Sequence, residues 1–262
     1  MNLDLTNKRA IVCGSTQGIG RASAIELAKL GANLTLIARD EAALKKMVLE
    51  LDQSKKQEHH YIVADFINPA DLKDKAEAYI KKNGHVNILV NNTGGPLGGP
   101  IIDAKLGEFM QTFSNHLLCN HLLVQAVADG MKQSGYGRII NIISTSVKQP
   151  IKGLGVSNTI RGAVASWAKT LSLELGQYGI TVNNVLPGAT QTQRLISILD
   201  SKAQKTGINK QEIESEMLSE IPLHRFAEAA EIAAAVAFLA SPAASYISGI
   251  NIPVDGGRTA CI

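Results

Sequence analysis

The stretch from Arg9 to Leu30 reads RAIVCGSTQGIGRASAIELAKL, and it decides the fold. It opens with a short apolar run typical of a buried strand, continues into a glycine-rich turn, and ends with apolar residues at helical spacing. In such a strand–turn–helix unit, backbone N–H groups can approach a phosphate at the positive end of the helix. The sequence therefore predicts a dinucleotide-binding turn made by Gly14, Ser15, Thr16, Gln17, Gly18, Ile19 and Gly20.

The rest of the chain repeats this alternation of strands and helices. Strand patterns are found at Arg9–Cys13, Asn33–Ala38, Tyr61–Ala64, Asn87–Val90, Arg138–Ile143, Thr181–Leu186 and Ile250–Val254. Helical patterns lie between them at Ile19–Leu30, Glu41–Asp52, Pro69–Lys82, Lys105–Gln133, Asn158–Gln177 and Ala229–Ala240. This order predicts an α/β fold, a single-domain doubly wound (Rossmann-type) sheet of about seven parallel strands flanked by helices. We expect ligands beyond the carboxyl ends of the strands, where the strand order reverses.

The segment 189–220 departs from this alternation. It follows the sixth predicted strand, is polar and charged, and is interrupted by Lys205-Thr206-Gly207. Its place in the chain predicts a helical lid over the ligand crevice. A surface insertion without such a role is the alternative.

Composition excludes several other classes of protein. With 45% hydrophobic residues and a net charge of +3, the 262 residues have a globular balance and fit one domain spanning 1–262. The small basic excess is spread along the chain, so no nucleic-acid partner is expected. The polar start Met1–Arg9 does not resemble a secretory signal, and no apolar window is long enough for a membrane span, so no membrane association is expected.

The cysteines and histidines give no sign of a metal site. Cys13, Cys119 and Cys261 are far apart and form neither a disulfide framework nor a zinc spacing, which favours a reducing, cytoplasmic compartment. His116 and His121 are five residues apart and fall on different faces of a predicted helix, so we predict no metal. For His116 we expect a packing or surface role, with an approach to the cleft beside Asn115 as the alternative.

The end of the second strand indicates which dinucleotide is bound. An acidic residue at this tip would bind the adenosine ribose hydroxyls, whereas an arginine accommodates a 2′-phosphate. Here the strand ends at Ala38 and Arg39 follows, which favours NADP(H) over NAD(H). Asp40 comes one residue late and is expected to cap the helix that starts at Glu41. A solvated surface role for Arg39 is the alternative.

Further motifs carry a resemblance that covers nearly the whole chain. They are Val63-Ala64-Asp65, Asn91-Asn92-Thr93-Gly94, Asn115 within SNHL, Gly137–Ser144, the NNVLPGATQT run 183–192, Ile221–Arg225 and Ser248–Gly257. Together with the glycine turn, they resemble the short-chain dehydrogenase/reductase family, nearest to its bacterial 3-oxoacyl-(acyl carrier protein) reductase branch. Thr93 stands where the family carries alanine.

The resemblance implies roles for these residues. Ser144 would polarise the substrate oxygen, and Asn115 would anchor a water molecule. The cofactor would be contacted at its adenine by Asp65 and elsewhere by Asn91, Thr93, Gly94, Pro187, Gly188, Thr190 and Thr192. The resemblance also implies a small-molecule or acyl-thioester substrate and a homo-oligomer, either a dimer or a tetramer.

One family motif is broken in this chain. Family members carry YxxxK about thirteen residues after the serine, but here the matching positions hold Ser157 and Arg161. Serine is a far weaker acid than tyrosine and has a shorter side chain, and arginine does not give up its proton. Because Ser157 and Arg161 are four residues apart on a predicted helix, they share a face. Arg161 would hold the cofactor ribose and supply positive charge, while the role of Ser157 is open. Lys148 or Lys152 could replace the missing ammonium, although solvated loop lysines are expected.

Three interpretations of this broken motif remain open. In the first, the protein is an NADP(H)-dependent oxidoreductase whose Ser144, Asn115, Ser157 and Arg161 form a reorganised site, with water as the proton source. In the second, it binds the nucleotide without turnover, as a sensor or partner subunit. In the third, it catalyses a non-redox reaction on the same scaffold. We favour the first.

Overall fold

The computed structural model describes residues 1–261. Seven strands form one parallel sheet: β1 (Arg9–Cys13), β2 (Asn33–Ala38), β3 (His60–Val63), β4 (Ile88–Asn91), β5 (Gly137–Ile142), β6 (Ile180–Pro187) and β7 (Asn251–Val254). Their order across the sheet is β3-β2-β1-β4-β5-β6-β7, so the strand order reverses between β1 and β4. The prediction of a doubly wound, seven-stranded parallel sheet is confirmed. The observed strand ends differ from the predicted ones by one residue at most.

Nine helices connect and cover these strands within the described part of the chain. They are α1 (Gly18–Lys29), α2 (Glu41–Glu50), α3 (Pro69–Asn83), α4 (Leu106–Phe113), α5 (Cys119–Ser134), α6 (Gly155–Leu175), α7 (Gln193–Thr206), α8 (Lys210–Ser219) and α9 (Ala229–Ala240). Helix α6 begins three residues before its predicted start at Asn158, which places Ser157 in its first turn. No helix among residues 1–261 is long and apolar enough to cross a membrane.

The apolar residues divide into two cores, one on each face of the sheet. On one face, α1 packs against α9, and Leu27 and Val236 are fully buried there. On the other face, α3 packs against α5, where Leu72 and Leu123 are fully buried. Burying one such side chain contributes roughly 1.5–3 kcal/mol. The two cores fix the sheet between two helical layers, and the strand ends are held in place as a result.

The predicted helix around 105–133 is broken in the middle. Between α4 and α5, residues Ser114–Leu118 form a π-helical turn. A π turn holds one more residue than an α turn and so changes the direction of the side chains within it. Asn115 and His116 both lie in this turn. The turn therefore determines which of these two side chains is directed toward the ends of the strands.

Helices α7 and α8 form a hairpin, called here the α7–α8 hairpin, within the predicted lid segment. Gly207 ends α7 in the left-handed conformation, with φ of +70°, at the predicted interruption. The hairpin has a small apolar core of its own, made by Leu195, Leu199, Ile213, Ile221 and Phe226. It therefore packs as a distinct unit above the strand ends.

Candidate active site

The sheet brings most of the predicted site residues to one edge. The carboxyl ends of β1, β4, β5 and β6 lie side by side. The glycine turn follows β1, Thr93 and Gly94 follow β4, Ser144 follows β5, and the Pro187–Thr192 turn follows β6. This is the edge where ligands bind in open parallel sheets, beside the reversal of strand order.

The turn after β1 is closed by glycines. Gly14 and Gly18 have φ of +57° and +55°, a left-handed conformation that strains other residues. A Cβ atom on Gly20 would lie 2.1 Å from the backbone oxygen of Gly14, so only glycine lets α1 start this close to the turn. Within residues 1–261, no side chain caps the first N–H groups of α1. Uncapped N–H groups at the start of a helix are suited to bind an anion.

Asn92 holds this turn in place, a role that the sequence analysis missed. Its Nδ2 donates to the backbone oxygens of Cys13 (3.2 Å) and Gly14 (3.3 Å). The buried Ser15 hydroxyl donates to the Ile37 oxygen at 3.4 Å, beneath the turn. The Ser15 side chain is therefore directed into the fold, and contact of this turn with the cofactor through backbone N–H groups stays a prediction.

The tip of β2 carries an exposed arginine. The Arg39 side chain is 73% exposed, and its Nη1 lies 4.0 Å from Oδ2 of Asp65, an exposed pair that stabilises the fold little. Asp40 accepts a hydrogen bond from the Ala43 N–H at 3.0 Å and caps α2, which confirms that prediction. The charged group presented at this tip is therefore the Arg39 guanidinium.

Asn91 belongs to a ladder of amides inside the sheet. It donates to Asn141 (2.9 Å), Asn141 donates to Asn184 (2.9 Å), and Asn184 donates to Asn251 (2.8 Å). These asparagines lie in register on β4, β5, β6 and β7. The Asn91 side chain is buried and hydrogen-bonded between strands, so the expected contact of Asn91 with the cofactor stays a prediction for its backbone.

Thr93 and His116 meet just beyond β4. Thr93 Oγ1 and His116 Nδ1 are 2.6 Å apart, and the imidazole is buried. Burial and the nearby charge of Arg161 lower the pKa of His116 to about 3. At neutral pH this imidazole is therefore uncharged. His116 thus has a packed position, as expected, and it also lies close enough to Arg161 for that charge to lower its pKa, which agrees with the alternative of an approach to the cleft.

Asn115 lies on the other side of the π-helical turn. In the orientation that satisfies its amide, it donates to the Phe66 oxygen at 2.9 Å and lies against Gln111. Among residues 1–261, no hydrogen bond joins it to Ser144 or Arg161. The π turn directs the His116 side chain toward Thr93. The expected role of Asn115 as the anchor of a water molecule stays a prediction.

Ser157 and Arg161 lie on one face of α6, as their spacing predicts. Arg161 Nε donates to Ser157 Oγ at 3.3 Å. Arg161 Nη1 donates to the backbone oxygens of Ile142 (3.2 Å) and Ile143 (2.8 Å), at the end of β5. Ser144 is the next residue, and its Oγ accepts from the Ser146 N–H at 3.1 Å. The Ser144 O–H proton is therefore left to donate.

Arg161 is a partly buried cation. Burial, reinforced by the charge of Arg194, lowers its pKa to about 10. It still carries its charge at neutral pH, because that pKa lies well above 7. Its three hydrogen bonds all end on neutral oxygens.

Arg194 is a second cation at this edge, and the sequence analysis did not single it out. It is the second residue of α7, and its Nη2 donates to the backbone oxygen of Pro96. Burial lowers its pKa. No local sequence pattern marks it, because only the position of the α7–α8 hairpin brings it to the loop after β4.

The turn after β6 is shaped to lie against its neighbours. A Cβ atom on Gly188 would lie 2.7 Å from Asp255 Cα, so the chain passes too close for any other residue. Thr190 donates to the Gly188 oxygen at 3.0 Å, and Thr192 donates to the Thr190 oxygen at 3.2 Å. Both hydroxyls thus stabilise the turn as well as lining it.

Thr192 also connects this turn to the glycine turn. Its Oγ1 accepts from the Leu195 N–H at 3.4 Å and caps α7. Its Cγ2 would lie 3.2 Å from a Cβ atom on Gly18. The turns after β1 and β6 therefore lie on two sides of a common space. A dinucleotide in this space would contact both turns.

The residues present fit NADP(H). The glycine turn has no room for side chains, and the start of α1 is uncapped within the described residues, as a diphosphate requires. Arg39 is exposed where a 2′-phosphate would lie. Arg161 lies at the end of β5 with two unused N–H groups on Nη2 among residues 1–261.

Comparison with known proteins agrees with this site. The profile of the family described as "Enoyl-(Acyl carrier protein) reductase" matches residues 14–259. The fold, the glycine turn and this match define a nucleotide-binding oxidoreductase. The chain belongs to the short-chain dehydrogenase/reductase family.

Individual relatives cover the chain almost completely. The NADPH-dependent reductase BacG of Bacillus subtilis is 30% identical over 258 residues, 97% of this chain and 98% of that protein. The 7alpha-hydroxysteroid dehydrogenase of Escherichia coli is 32% identical, over 98% of this chain and 96% of that protein. L-sorbose reductase from Gluconobacter frateurii, solved with NADPH and L-sorbose, superposes with a TM-score of 0.93 at 28% identity, with all of both chains covered. The chain is thus an enzyme of the oxidoreductase class.

Proposed function

We propose that the chain is an NADP(H)-dependent oxidoreductase that interconverts a carbonyl and an alcohol through a serine–arginine site. One observation carries the proposal: Arg161 is tied by hydrogen bonds both to Ser157 and to the end of β5, directly before Ser144. The charge that the family lysine would supply is thus present at the edge where the carbonyl must lie. The family membership and the NADPH-dependent relatives support the same reaction.

Each residue has a distinct task in this reaction. NADP(H), when bound, supplies a hydride to the carbonyl carbon or accepts one from the alcohol. Ser144 donates a hydrogen bond to the substrate oxygen, and Arg161 stabilises the negative charge that develops there. Neither side chain gives up a proton at neutral pH, since Arg161 has a pKa of about 10 and serine is a still weaker acid. The proton that completes the alcohol therefore comes from water.

The preference for NADP(H) over NAD(H) is part of the proposal. Its support is the exposed Arg39 guanidinium at the tip of β2, together with the use of Asp40 as a helix cap. The cap holds the Asp40 carboxylate at the start of α2, one residue beyond the strand tip where an acidic residue would accept from the ribose hydroxyls.

The architecture proposed around this site follows from the sequence. We infer one domain over 1–262, with the segment 189–220 acting as the substrate lid and small carbonyl compounds or 3-oxoacyl thioesters as candidate substrates. Arg194 and Lys205 of α7 donate to the backbone oxygens of Pro96 and Gly98, contacts that a closing lid requires. The proposed location is the cytoplasm.

A homo-oligomer, dimer or tetramer, is also part of the proposal. Leu106, Met110 and Phe113 follow helical spacing on α4 and leave an apolar stripe exposed. A second copy of the chain would cover this stripe.

Binding of NADP(H) without turnover is the second candidate. The observation that favours it is the replacement of the tyrosine by Ser157, because the described site holds no side chain that protonates an alkoxide at neutral pH. The loss of one general acid typically lowers a rate by 10²–10⁴-fold rather than removing it, so we rank this candidate below the first.

The test compares the wild type with a Ser157→Tyr/Arg161→Lys double variant. NADPH oxidation is followed with a panel of carbonyl compounds that includes 3-oxoacyl thioesters, and NADPH binding is measured separately by fluorescence. We expect the wild type to turn over and the double variant to be no faster. Turnover by the double variant alone, with NADPH binding intact in both, would establish the binding protein instead.

A further inference from the structure

Two guanidinium groups converge on one point beside Gly95. A Cβ atom at Gly95 would lie 3.4 Å from Nη2 of Arg161 and 3.3 Å from Nη2 of Arg194. Arg161 comes from α6 and Arg194 from α7, so the two cations approach this point from separate elements. Like charges repel each other, and such an approach lowers the pKa of Arg161.

No acidic residue among the described residues 1–261 pairs with either arginine. Among the salt bridges of residues 1–261, none includes Arg161 or Arg194. The neighbouring imidazole of His116 is neutral at neutral pH. Arg161 is partly buried and Arg194 is exposed, so Arg161 is the one that solvent screens less. A poorly solvated charge without a counter-ion is unfavourable, and an anionic ligand would supply one. The site therefore has two positive charges that an anion from outside the chain would neutralise.

Space for such an anion exists beside the two guanidiniums. Gly94 has no other atom within 4 Å of the position that a Cβ would take. Arg161 is fixed against the end of β5, one residue before Ser144, rather than against the glycine turn where a diphosphate fits. An anion held here is thus near the polarising hydroxyl.

We infer that Arg161 and Arg194 bind a carboxylate of the substrate, so that the substrate is an oxo acid whose carboxylate lies close to the reacting carbonyl. The inference rests on the proposed carbonyl reduction and narrows its substrate class. Guanidinium groups match carboxylates through parallel hydrogen bonds, which a neutral ester does not offer. The carbonyl carbon of the oxo acid would accept a hydride from NADPH, which is oxidised to NADP⁺. The carbonyl oxygen would take a proton from water, which leaves hydroxide, and the product is the hydroxy acid.

Arg194 also makes the α7–α8 hairpin responsive to this anion. Its guanidinium reaches from the hairpin to Pro96 in the loop after β4. A carboxylate between Arg194 and Arg161 would therefore bridge the hairpin to α6. The carboxylate of an oxo acid would thus help to hold the hairpin in its present position, whereas a neutral carbonyl compound would not.

The first experiment pairs each oxo acid with its neutral ester. Reduction of 2-oxobutanoate and acetoacetate is compared with that of their methyl esters, in the wild type, Arg194→Met and Lys205→Met. We expect Arg194→Met to raise KM for the acids roughly tenfold or more, since hydrogen bonds to charged groups are strong, and to change KM for the esters less than about twofold. Lys205→Met removes the other contact of α7 with the loop after β4 and controls for a purely structural effect.

The second experiment places a carboxylate at the convergence point and needs no turnover. Gly95 is not in the left-handed conformation, so it tolerates a side chain. We expect Gly95→Asp to melt about 3 °C above its isosteric control Gly95→Asn at pH 7, because only the aspartate neutralises the two arginines. Gly95→Asp should also inhibit reduction of the acids, since its carboxylate occupies their site.

The outcomes separate this inference from the proposed function. Equal kcat/KM for acids and esters in the wild type, or no melting difference between Gly95→Asp and Gly95→Asn, overturns the carboxylate site. A loss of NADPH affinity in Arg194→Met as large as its rise in KM for the acids assigns the arginines to the cofactor diphosphate and also overturns it. If NADPH binds and no carbonyl compound is reduced, the proposed function fails, while the Gly95 pair still reports on the anion site.

Discussion

Thr93 Oγ1 and His116 Nδ1 lie 2.6 Å apart and join the end of β4 to the π-helical turn. This contact fixes a buried imidazole beside the two cationic side chains of Arg161 and Arg194. Because that imidazole is neutral, it adds hydrogen-bonding capacity to the site without adding a third positive charge. Thr93, which stands where the family carries alanine, and the buried His116 therefore stabilise each other's position.

His116 should make the protein less stable in acid. Its pKa is about 3 in the folded chain and near 6.5 when unfolded, so between these values the unfolded state binds one proton more. Stability therefore falls as the pH drops from 6.5 toward 3, by up to about 1.4 kcal/mol per pH unit from this group alone. We expect the unfolding free energy of His116→Asn to fall less steeply over this range, as measured by urea denaturation. His224→Asn, at an exposed histidine, is the control, and parallel slopes for the wild type and His116→Asn would refute the assignment.

Arg161 should matter more for hydride transfer than for cofactor binding. We expect Arg161→Ala to lower kcat by about 100-fold, as the loss of an oxyanion-stabilising group does, and to change the NADPH dissociation constant by less than about threefold. Stopped-flow measurement of single-turnover NADPH oxidation, beside fluorescence titration, separates the two effects. Arg161→Lys keeps the charge and should recover part of the rate. Equal losses of rate and affinity in Arg161→Ala would make Arg161 a cofactor ligand only.

The central strands and the glycine turn were predictable because they depend on local pattern. Strands β1 and β2 have the ends that their apolar runs predict, since both are buried on two faces and bounded by polar residues or glycine. The helical caps at Asp40 and the interruption at Gly207 follow equally from local chemistry. The sequence was also sufficient to pair Ser157 with Arg161, because four residues make one helical turn.

The errors fall where tertiary packing decides. Whether a helix takes a π turn depends on what it packs against, so the break in the predicted helix around 105–133 and the contact of His116 with Thr93 were not predictable from local pattern. The amide ladder of Asn91 depends on the register of four strands. Arg194 reaches the site only because the α7–α8 hairpin places it beside the loop after β4, and no residue spacing in the sequence indicates that placement.

Arg39 should set the preference for NADPH. We expect Arg39→Asp to lower kcat/KM for NADPH about 100-fold, through loss of paired hydrogen bonds and gain of a repelling charge, and to leave that for NADH nearly unchanged. Steady-state kinetics with both cofactors measures this. Lys46→Asp makes the same charge change at an exposed position of α2 and is the control for a general electrostatic effect. An unchanged NADPH/NADH ratio in Arg39→Asp would leave Arg39 as a surface residue.

Because the glycine turn lies so close to α1, NADPH binding should depend on the absence of a side chain at Gly20. Gly20→Ala would place its Cβ 2.1 Å from the Gly14 oxygen and 2.7 Å from Asn92 Nδ2, so the turn must shift and Asn92 must lose its hydrogen bonds. We expect a loss of at least tenfold in NADPH affinity and of about 1–3 kcal/mol in unfolding free energy. Gly162→Ala is the matched control, because nothing lies within 4 Å of its Cβ position in α6, and it should stabilise the chain by about 0.5–1 kcal/mol. Fluorescence titration and urea denaturation measure both changes, and NADPH affinity in Gly20→Ala equal to that of Gly162→Ala would show that the cofactor does not bind at this turn.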